Sequence, residues 1–107
     1  MSEEELIQTE RQEMLKCWAA RYIWWSGEAP PSEDRIIAQV MSIGTWEDIR
    51  RLEGAYSPEE LRDVMYRAQP GWISERSWEL WRGRLLAQRA GAIPQVPPRR
   101  SFHAEML

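Results

Sequence analysis

Residues 56–68 read Tyr-Ser-Pro-Glu-Glu-Leu-Arg-Asp-Val-Met-Tyr-Arg-Ala and combine several signals of helix formation. Ser57 suits the N-cap, Pro58 suits the first helical position, and Glu60 completes a capping box. Apolar residues then recur at the i, i+3, i+4, i+7 spacing of one helical face: Leu61, Val64, Met65 and Ala68. Because Gln69-Pro70-Gly71 indicates a turn, the stretch predicts one amphipathic helix that begins after Ser57.

The same kind of start signal recurs at four other places along the chain. A Ser or Thr precedes an acidic first turn at Ser2, Ser32, Thr45 and Ser74. These starts predict helices over about residues 3–25, 33–43, 46–53 and 75–90. No segment alternates apolar and polar residues over the length of a strand. The predicted fold class is therefore all-α, a compact orthogonal bundle of about five helices with an extended proline-rich C-terminal tail.

Tryptophan supplies the aromatic bulk of the predicted core, because the chain has seven Trp and one Phe. The apolar stripes predict a core made of Trp18, Tyr22, Ile36, Val40, Trp46, Ile49, Leu52, Leu61, Val64, Trp78, Trp81 and Leu85. Replacing Trp78 with Ala should open a cavity and cost about 3–5 kcal/mol of stability. Cys17, next to Trp18, is predicted to be buried and inert.

The 107 residues suit one domain. We expect residues 1–91 to form a single helical domain and residues 92–107 to form an extended tail. Three prolines in that tail favour a polyproline-like backbone: Pro94, Pro97 and Pro98. The first half of the first helix is polar, so we expect it to be exposed unless a partner covers it.

Composition narrows the class of protein. The chain has one cysteine, so no intrachain disulfide can form, which fits a reducing compartment and predicts a cytoplasmic location. It has no long apolar run and an acidic N-terminus, which predicts neither a membrane span nor a secretory signal.

The residue types of most catalytic and metal sites are scarce. A single histidine, His103, cannot build a zinc site with one distant cysteine, and no glycine-rich loop precedes a helix as a phosphate site requires. Glu59, Glu60 and Asp63 have the ordinary acidic bias of a helix N-terminus. We therefore expect no enzyme activity, no metal and no cofactor.

Charge changes sign along the chain. Residues 1–34 carry a net −5, residues 35–73 a net −1 and residues 74–107 a net +3. A basic C-terminal third suggests DNA or RNA as a possible ligand. The candidate nucleic-acid contacts are Arg76, Arg84, Arg99 and Arg100. The third and fourth helices have the lengths of a helix–turn–helix, but acidic residues at the start of the fourth would repel phosphates.

Protein binding is the favoured class. Trp and Arg are enriched at interface hot spots, and both an amphipathic helix and an extended proline-rich segment are common recognition elements. The candidate partner-binding residues are Trp24, Trp25, Trp72, Arg82 and Arg89. We expect a protein partner or a homo-oligomer, with self-association through the first helix as one form, and no membrane contact.

Four segments within about residues 21–81 resemble a small uncharacterised bacterial family of all-helical proteins. They are Arg21-Tyr22-Ile23-Trp24-Trp25, Ile36-Ile37-Ala38-Gln39-Val40-Met41-Ser42-Ile43-Gly44-Thr45-Trp46-Glu47-Asp48-Ile49-Arg50-Arg51-Leu52, Tyr56-Ser57-Pro58-Glu59-Glu60-Leu61, and Ser74-Glu75-Arg76-Ser77-Trp78 followed by Trp81. Some members of that family are encoded beside nucleotidyltransferase-like toxins, so the resemblance implies an antitoxin-like or accessory role. It carries over no functional residue. We expect a non-catalytic protein-binding accessory module; the alternative is a helical DNA- or RNA-binding protein.

Overall fold

The computed structural model describes residues 2–23, 31–88 and 91–98, and within these ranges it contains helices and no strand. The helices are α1 (Glu3–Tyr22), α2 (Glu33–Ile43), α3 (Trp46–Ala55), α4 (Pro58–Arg67) and α5 (Glu75–Ala87). The predicted all-α class with about five helices is confirmed. None of these five helices combines the length and the apolar composition that crossing a bilayer requires.

All five predicted N-caps are confirmed. The side-chain oxygens of Ser2, Ser32, Thr45, Ser57 and Ser74 each accept a hydrogen bond from the backbone N–H three residues later. At α4 the capping box is complete, because the Glu60 carboxylate accepts from the Ser57 N–H at 3.0 Å. Each cap satisfies an N–H group that the first helical turn leaves without a partner.

The helix C-termini differ from the sequence-based boundaries. α1 was expected to reach residue 25, but Ile23 leaves the helical region with φ −130° and ψ 41°. α3 extends to Ala55, one residue beyond Gly54, and α5 ends at Ala87 rather than near residue 90. C-terminal signals are weaker than N-caps, because glycine permits a helix to end without requiring it.

α2 lies at the centre of the bundle and contacts each of the other four helices. All residues from Ile36 to Met41 are buried. Because apolar side chains project on most sides of this helix, it is stable only when neighbours surround it. Two tryptophans of α5 pack beside it, and the Trp81 indole donates to the Met41 carbonyl oxygen at 2.9 Å.

Ten of the predicted core residues are buried, and Ile49 is partly buried against them. Trp46 is a correction, since 60% of its surface is exposed. The inward side of α3 carries Asp48 and Leu52, and at 100° per residue Trp46 lies about 200° from Asp48. Leu52 and Ile49 lie on the packed side of α3 as predicted, but Asp48 and not Trp46 completes it. Cys17 is a second correction, because it is exposed.

Residues 91–98 have no regular secondary structure, as expected for the start of the tail, but they lie against the bundle. The Trp78 indole donates to the Pro94 carbonyl oxygen at 2.8 Å, and Ile93 is buried in the core. We call residues 91–98 the strap. The rest of the predicted tail, residues 99–107, lies outside the described residues.

Candidate functional site

A groove runs between α1 and α3. It consists of two neighbouring cavities of about 360 and 340 Å³ that share Glu10, Met14 and Arg51 as lining residues. Ile7 and Ala55 line one end, and Trp18 and Asp48 line the other. We call this feature the α1–α3 groove. Its lining combines apolar side chains with three acidic residues, Glu10, Glu13 and Asp48, and three arginines, Arg11, Arg21 and Arg51.

Arg11 fixes the middle of α1 to the bundle. Its Nε donates to the Ala55 carbonyl oxygen at 2.9 Å, and its two terminal nitrogens donate to the Glu60 carboxylate at 3.1 and 3.0 Å. The guanidinium also lies 4.3 Å from the centroid of the Tyr56 ring. A planar guanidinium is suited to such simultaneous bidentate and stacking contacts. Arg11 therefore joins α1 to the end of α3 and the start of α4.

Tyr56 extends this polar cluster to α2. Its hydroxyl donates to the Glu33 carboxylate at 2.9 Å. Burial raises the pKa of the Tyr56 phenol well above its ordinary value, and the hydrogen bond to Glu33 raises it further. The cluster therefore holds the phenol in its neutral, donating form over the whole physiological pH range.

A second polar cluster closes the other end of the groove around Asp48, which is 2% exposed. Its carboxylate accepts hydrogen bonds from the Tyr22 hydroxyl and from Arg21, the latter at 3.2 Å. Burial raises the pKa of Asp48, but hydrogen bonds from Tyr22, Trp18 and Thr45 and the charge of Arg21 outweigh it, so the pKa lies below its ordinary value. The buried carboxylate is thus a charged acceptor that links α1 to α3.

The first turns of α1 extend beyond these two clusters. Residues 3–10, which we call the free half of α1, are all exposed. Leu6 and Ile7 are exposed by 48% and 47%. Within the described residues, the side-chain hydrogen bonds of this segment are local, from the Glu5 N–H to the Ser2 hydroxyl and from the Thr9 hydroxyl to the Glu5 carbonyl oxygen. The free half also carries Glu3, Glu4, Glu5 and Glu10, so it presents two apolar side chains in an acidic setting.

Trp72, Arg76, Arg82 and Arg84 are the predicted site residues that the structure describes, and they do not form one cluster. Trp72 is partly buried, with the Arg35 guanidinium 5.3 Å from its ring centroid. Arg82 donates to the Ile93 carbonyl oxygen at 3.0 Å, and Arg76 is exposed. Arg84 donates to both carboxylate oxygens of Glu53. The other predicted site residues lie outside the described residues: Trp24, Trp25, Arg89, Arg99 and Arg100.

The α1–α3 groove was missed by sequence reasoning. Its available signal was the pair Leu6 and Ile7, which are apolar residues in an otherwise polar half-helix. Asp48 gave no signal, because an acidic residue at the third position of a helix is common for capping reasons alone. Nor did Arg11, whose partners lie 44 and 49 residues away in sequence.

No protein-family model matches the chain, and neither a curated protein nor a solved structure is detectably similar to it. In the part of the chain that the structure describes, no group of three or more His, Cys, Asp or Glu residues is arranged to hold a metal ion.

Proposed function

We propose that this protein is a non-catalytic protein-binding module whose partner docks on the free half of α1 and the adjoining α1–α3 groove. The observation that carries the proposal is the exposure of residues 3–10, a segment of continuous helix with Leu6 and Ile7 on its surface. The proposal places the module in a reducing cytoplasm, where the exposed thiol of Cys17 stays free.

The free half is held in shape by the rest of α1. A peptide of about ten residues is only marginally helical in water, because nucleation of a helix is costly. Arg11 and Trp18 fix the following turns to the bundle, so the free half extends an already nucleated helix. A partner would therefore meet a preorganised helix and would lose less conformational entropy than in binding a disordered segment.

Charge defines the chemistry of the partner. Glu10 and Glu13 line the groove, and Glu3, Glu4 and Glu5 continue the acidic surface toward the N-terminus. The three arginines that line the groove, Arg11, Arg21 and Arg51, are paired with Glu60, Asp48 and Glu47, respectively. The surface is thus acidic with an apolar strip, which suits a basic amphipathic helix of another protein.

The arginines support protein binding over nucleic-acid binding. Within the described residues, six arginines pair with carboxylates: Arg11, Arg21, Arg51, Arg62, Arg67 and Arg84. A guanidinium held by a carboxylate gains little from a phosphate and releases few counterions. Arg84, one of the candidate nucleic-acid contacts, is committed in this way to Glu53.

An antitoxin-like role is one form of this proposal. An antitoxin acts by a stable stoichiometric complex with its toxin, and a preorganised helix next to a groove suits such a complex. The proposal does not depend on that form, since any basic amphipathic partner would use the same surface.

Cys17 provides a direct test. It is the single cysteine of the chain, it is exposed, and it lines the groove. A photo-crosslinker attached to Cys17 should form a 1:1 covalent adduct with one protein in a nuclease-treated lysate of the cells that encode the chain. Ile7→Asp and the double substitution Glu10→Arg with Glu13→Arg should abolish the adduct.

Leu80→Asp is the matched control, since Leu80 is exposed to a similar extent but lies on α5. It should leave the adduct unchanged. Equal crosslinking by all variants would contradict the proposed surface. An adduct that forms only in a parallel lysate without nuclease would instead support the DNA- or RNA-binding alternative.

A further inference from the structure

The strap is held through its backbone by side chains of two helices. Three consecutive carbonyl oxygens accept hydrogen bonds: Ala92 from the Tyr66 hydroxyl, Ile93 from Arg82 Nε at 3.0 Å, and Pro94 from Trp78 Nε1 at 2.8 Å. Tyr66 belongs to α4, and the other two donors belong to α5. We call this donor array, with the surface around it, the strap site.

The strap runs antiparallel to α5. Ile93 and Pro94 bond to Arg82 and Trp78, and Pro97 then lies beside Glu75 and next to the α4–α5 loop. The reversal at the end of α5 passes through Gly91, whose φ of +106° is accessible to glycine and strained for other residues. Two side chains of the strap are buried, Ile93 and Pro97, while Gln95 and Val96 between them are exposed.

We propose that the strap site is a peptide-binding site for an extended, proline-containing segment of a partner protein, and that the strap occupies it in cis. The partner segment has an apolar residue followed by proline and a second proline three positions later, as in Ile93-Pro94-Gln95-Val96-Pro97. This inference goes beyond the proposed function, because it concerns a different surface and a different kind of ligand.

The donor array explains this choice of ligand. The side chains of the donor array donate hydrogen bonds to backbone carbonyl oxygens, which every peptide has. A proline-rich segment in polyproline conformation has no internal hydrogen bonds, so its carbonyl oxygens are free to accept them. Proline also lacks an N–H group, so its burial leaves no unsatisfied donor. Aromatic residues that donate to such segments are a general mode of peptide recognition. Trp78 and Tyr66 fill that role here.

The strap fills the site incompletely. An open cavity of about 480 Å³ lies between Pro97, Pro98 and the α4–α5 loop, with Ile73 and Pro70 in its wall. A second cavity of about 200 Å³ lies beside Val96, Glu79 and Arg82. A partner segment with larger side chains at these positions would bury more surface than the strap does. We expect such a ligand to compete with the cis segment for the site.

The test uses the full chain and a fluorescent peptide that copies residues 91–98. Ile93→Asp removes the apolar anchor of the strap and should open the site, so that the peptide binds with a rise in anisotropy. The wild-type chain should bind it at least about tenfold more weakly, because its tethered strap competes at a millimolar effective concentration. A peptide carrying the same Ile-to-Asp change should not bind.

Two arginines of α5 form a matched pair for the donor array. In the Ile93→Asp chain, Arg82→Gln should weaken peptide binding by about fivefold, since one hydrogen bond to the peptide is lost. Arg76→Gln makes the same change of charge at an exposed residue of the same helix and should leave binding unchanged. Ile93→Ser is a milder second way to open the site.

Three results would overturn the proposal. One is a folded Ile93→Asp chain that fails to bind the peptide at about 1 mM, the effective concentration expected of the tethered strap. Another is equal binding by the Arg82→Gln and Arg76→Gln variants. The third is loss of cooperative unfolding in both the Asp and the Ser variants, which would show that the fold requires the strap in its site. None of these results bears on α1, so the proposed function is tested separately.

Discussion

The free half of α1 and the remainder of the helix, residues 11–22, have very different environments. The free half, residues 3–10, is exposed, whereas the half that contains Arg11, Trp18 and Tyr22 is fixed by a buried indole and two polar clusters. The helix is continuous through both. Tertiary contacts thus need to hold only part of a helix in place. The remainder is already helical, so no ordering is required when a partner binds it.

Trp18→Ala should have the largest effect on this comparison. The indole is almost completely buried, so its removal leaves a cavity and should lower the free energy of unfolding by about 3–5 kcal/mol. Urea denaturation followed by circular dichroism measures the change. Trp46→Ala, at an exposed tryptophan, is the control and should cost less than about 1 kcal/mol. Equal losses would contradict the assignment of the two indoles.

Asp48→Ala should have the next largest effect. It removes the acceptor of the buried Tyr22 hydroxyl, and an unsatisfied buried donor costs about 1–3 kcal/mol. Glu47→Ala removes only an exposed ion pair with Arg51 and should change stability by less than about 0.5 kcal/mol. Comparable unfolding midpoints in urea for the two variants would show that the Asp48 cluster does not fix α1.

Low pH should lower the stability of the fold, because it protonates the Asp48 and Glu60 carboxylates that fix residues 11–22 of α1 to the bundle. The pKa values of Asp48 and Glu60 are lowered in the folded chain from ordinary values of 3.8 and 4.5. A carboxyl group with a lowered pKa in the folded chain contributes its full stabilisation at pH values above its pKa in the unfolded chain. That contribution is lost as the pH falls through its pKa in the folded chain. Urea midpoints should therefore fall below about pH 4.

The double variant Asp48→Asn with Glu60→Gln is the control for this pH dependence. It is less stable at neutral pH, but its midpoint should vary less between pH 6 and pH 3, because neither group can titrate. A midpoint that falls as steeply in the variant as in the wild-type chain would assign the acid sensitivity to other carboxylates.

Substitutions in the free half should have the smallest effect on stability. The double substitution Leu6→Ala with Ile7→Ala should change the free energy of unfolding by less than about 0.5 kcal/mol, because both side chains are exposed in the monomer. Thermal melts at two protein concentrations provide the measurement. A loss that grows with concentration would show that α1 is buried in a homo-oligomer, which is the self-associating form of the protein-binding expectation.

The strap, near the other end of the described chain, is likewise held in place by tertiary contacts. Its prolines indicate a segment without regular secondary structure, but no sequence pattern places residues 91–98 on α4 and α5. That position depends on donors at Tyr66, Trp78 and Arg82, which bond to backbone oxygens rather than to particular side chains. Such contacts leave no pattern in the residues that are bound.

The sequence alone determined the five helix starts and most of the core. A cap and its N–H partner are three residues apart, and an apolar stripe repeats within one or two turns, so both are local properties of the chain. Only the tertiary structure decided that Asp48 lies inside the bundle and Trp46 outside it. It alone also brought Arg11 to Ala55 across 44 residues, because long-range partners are chosen by how the helices pack and not by their spacing in sequence.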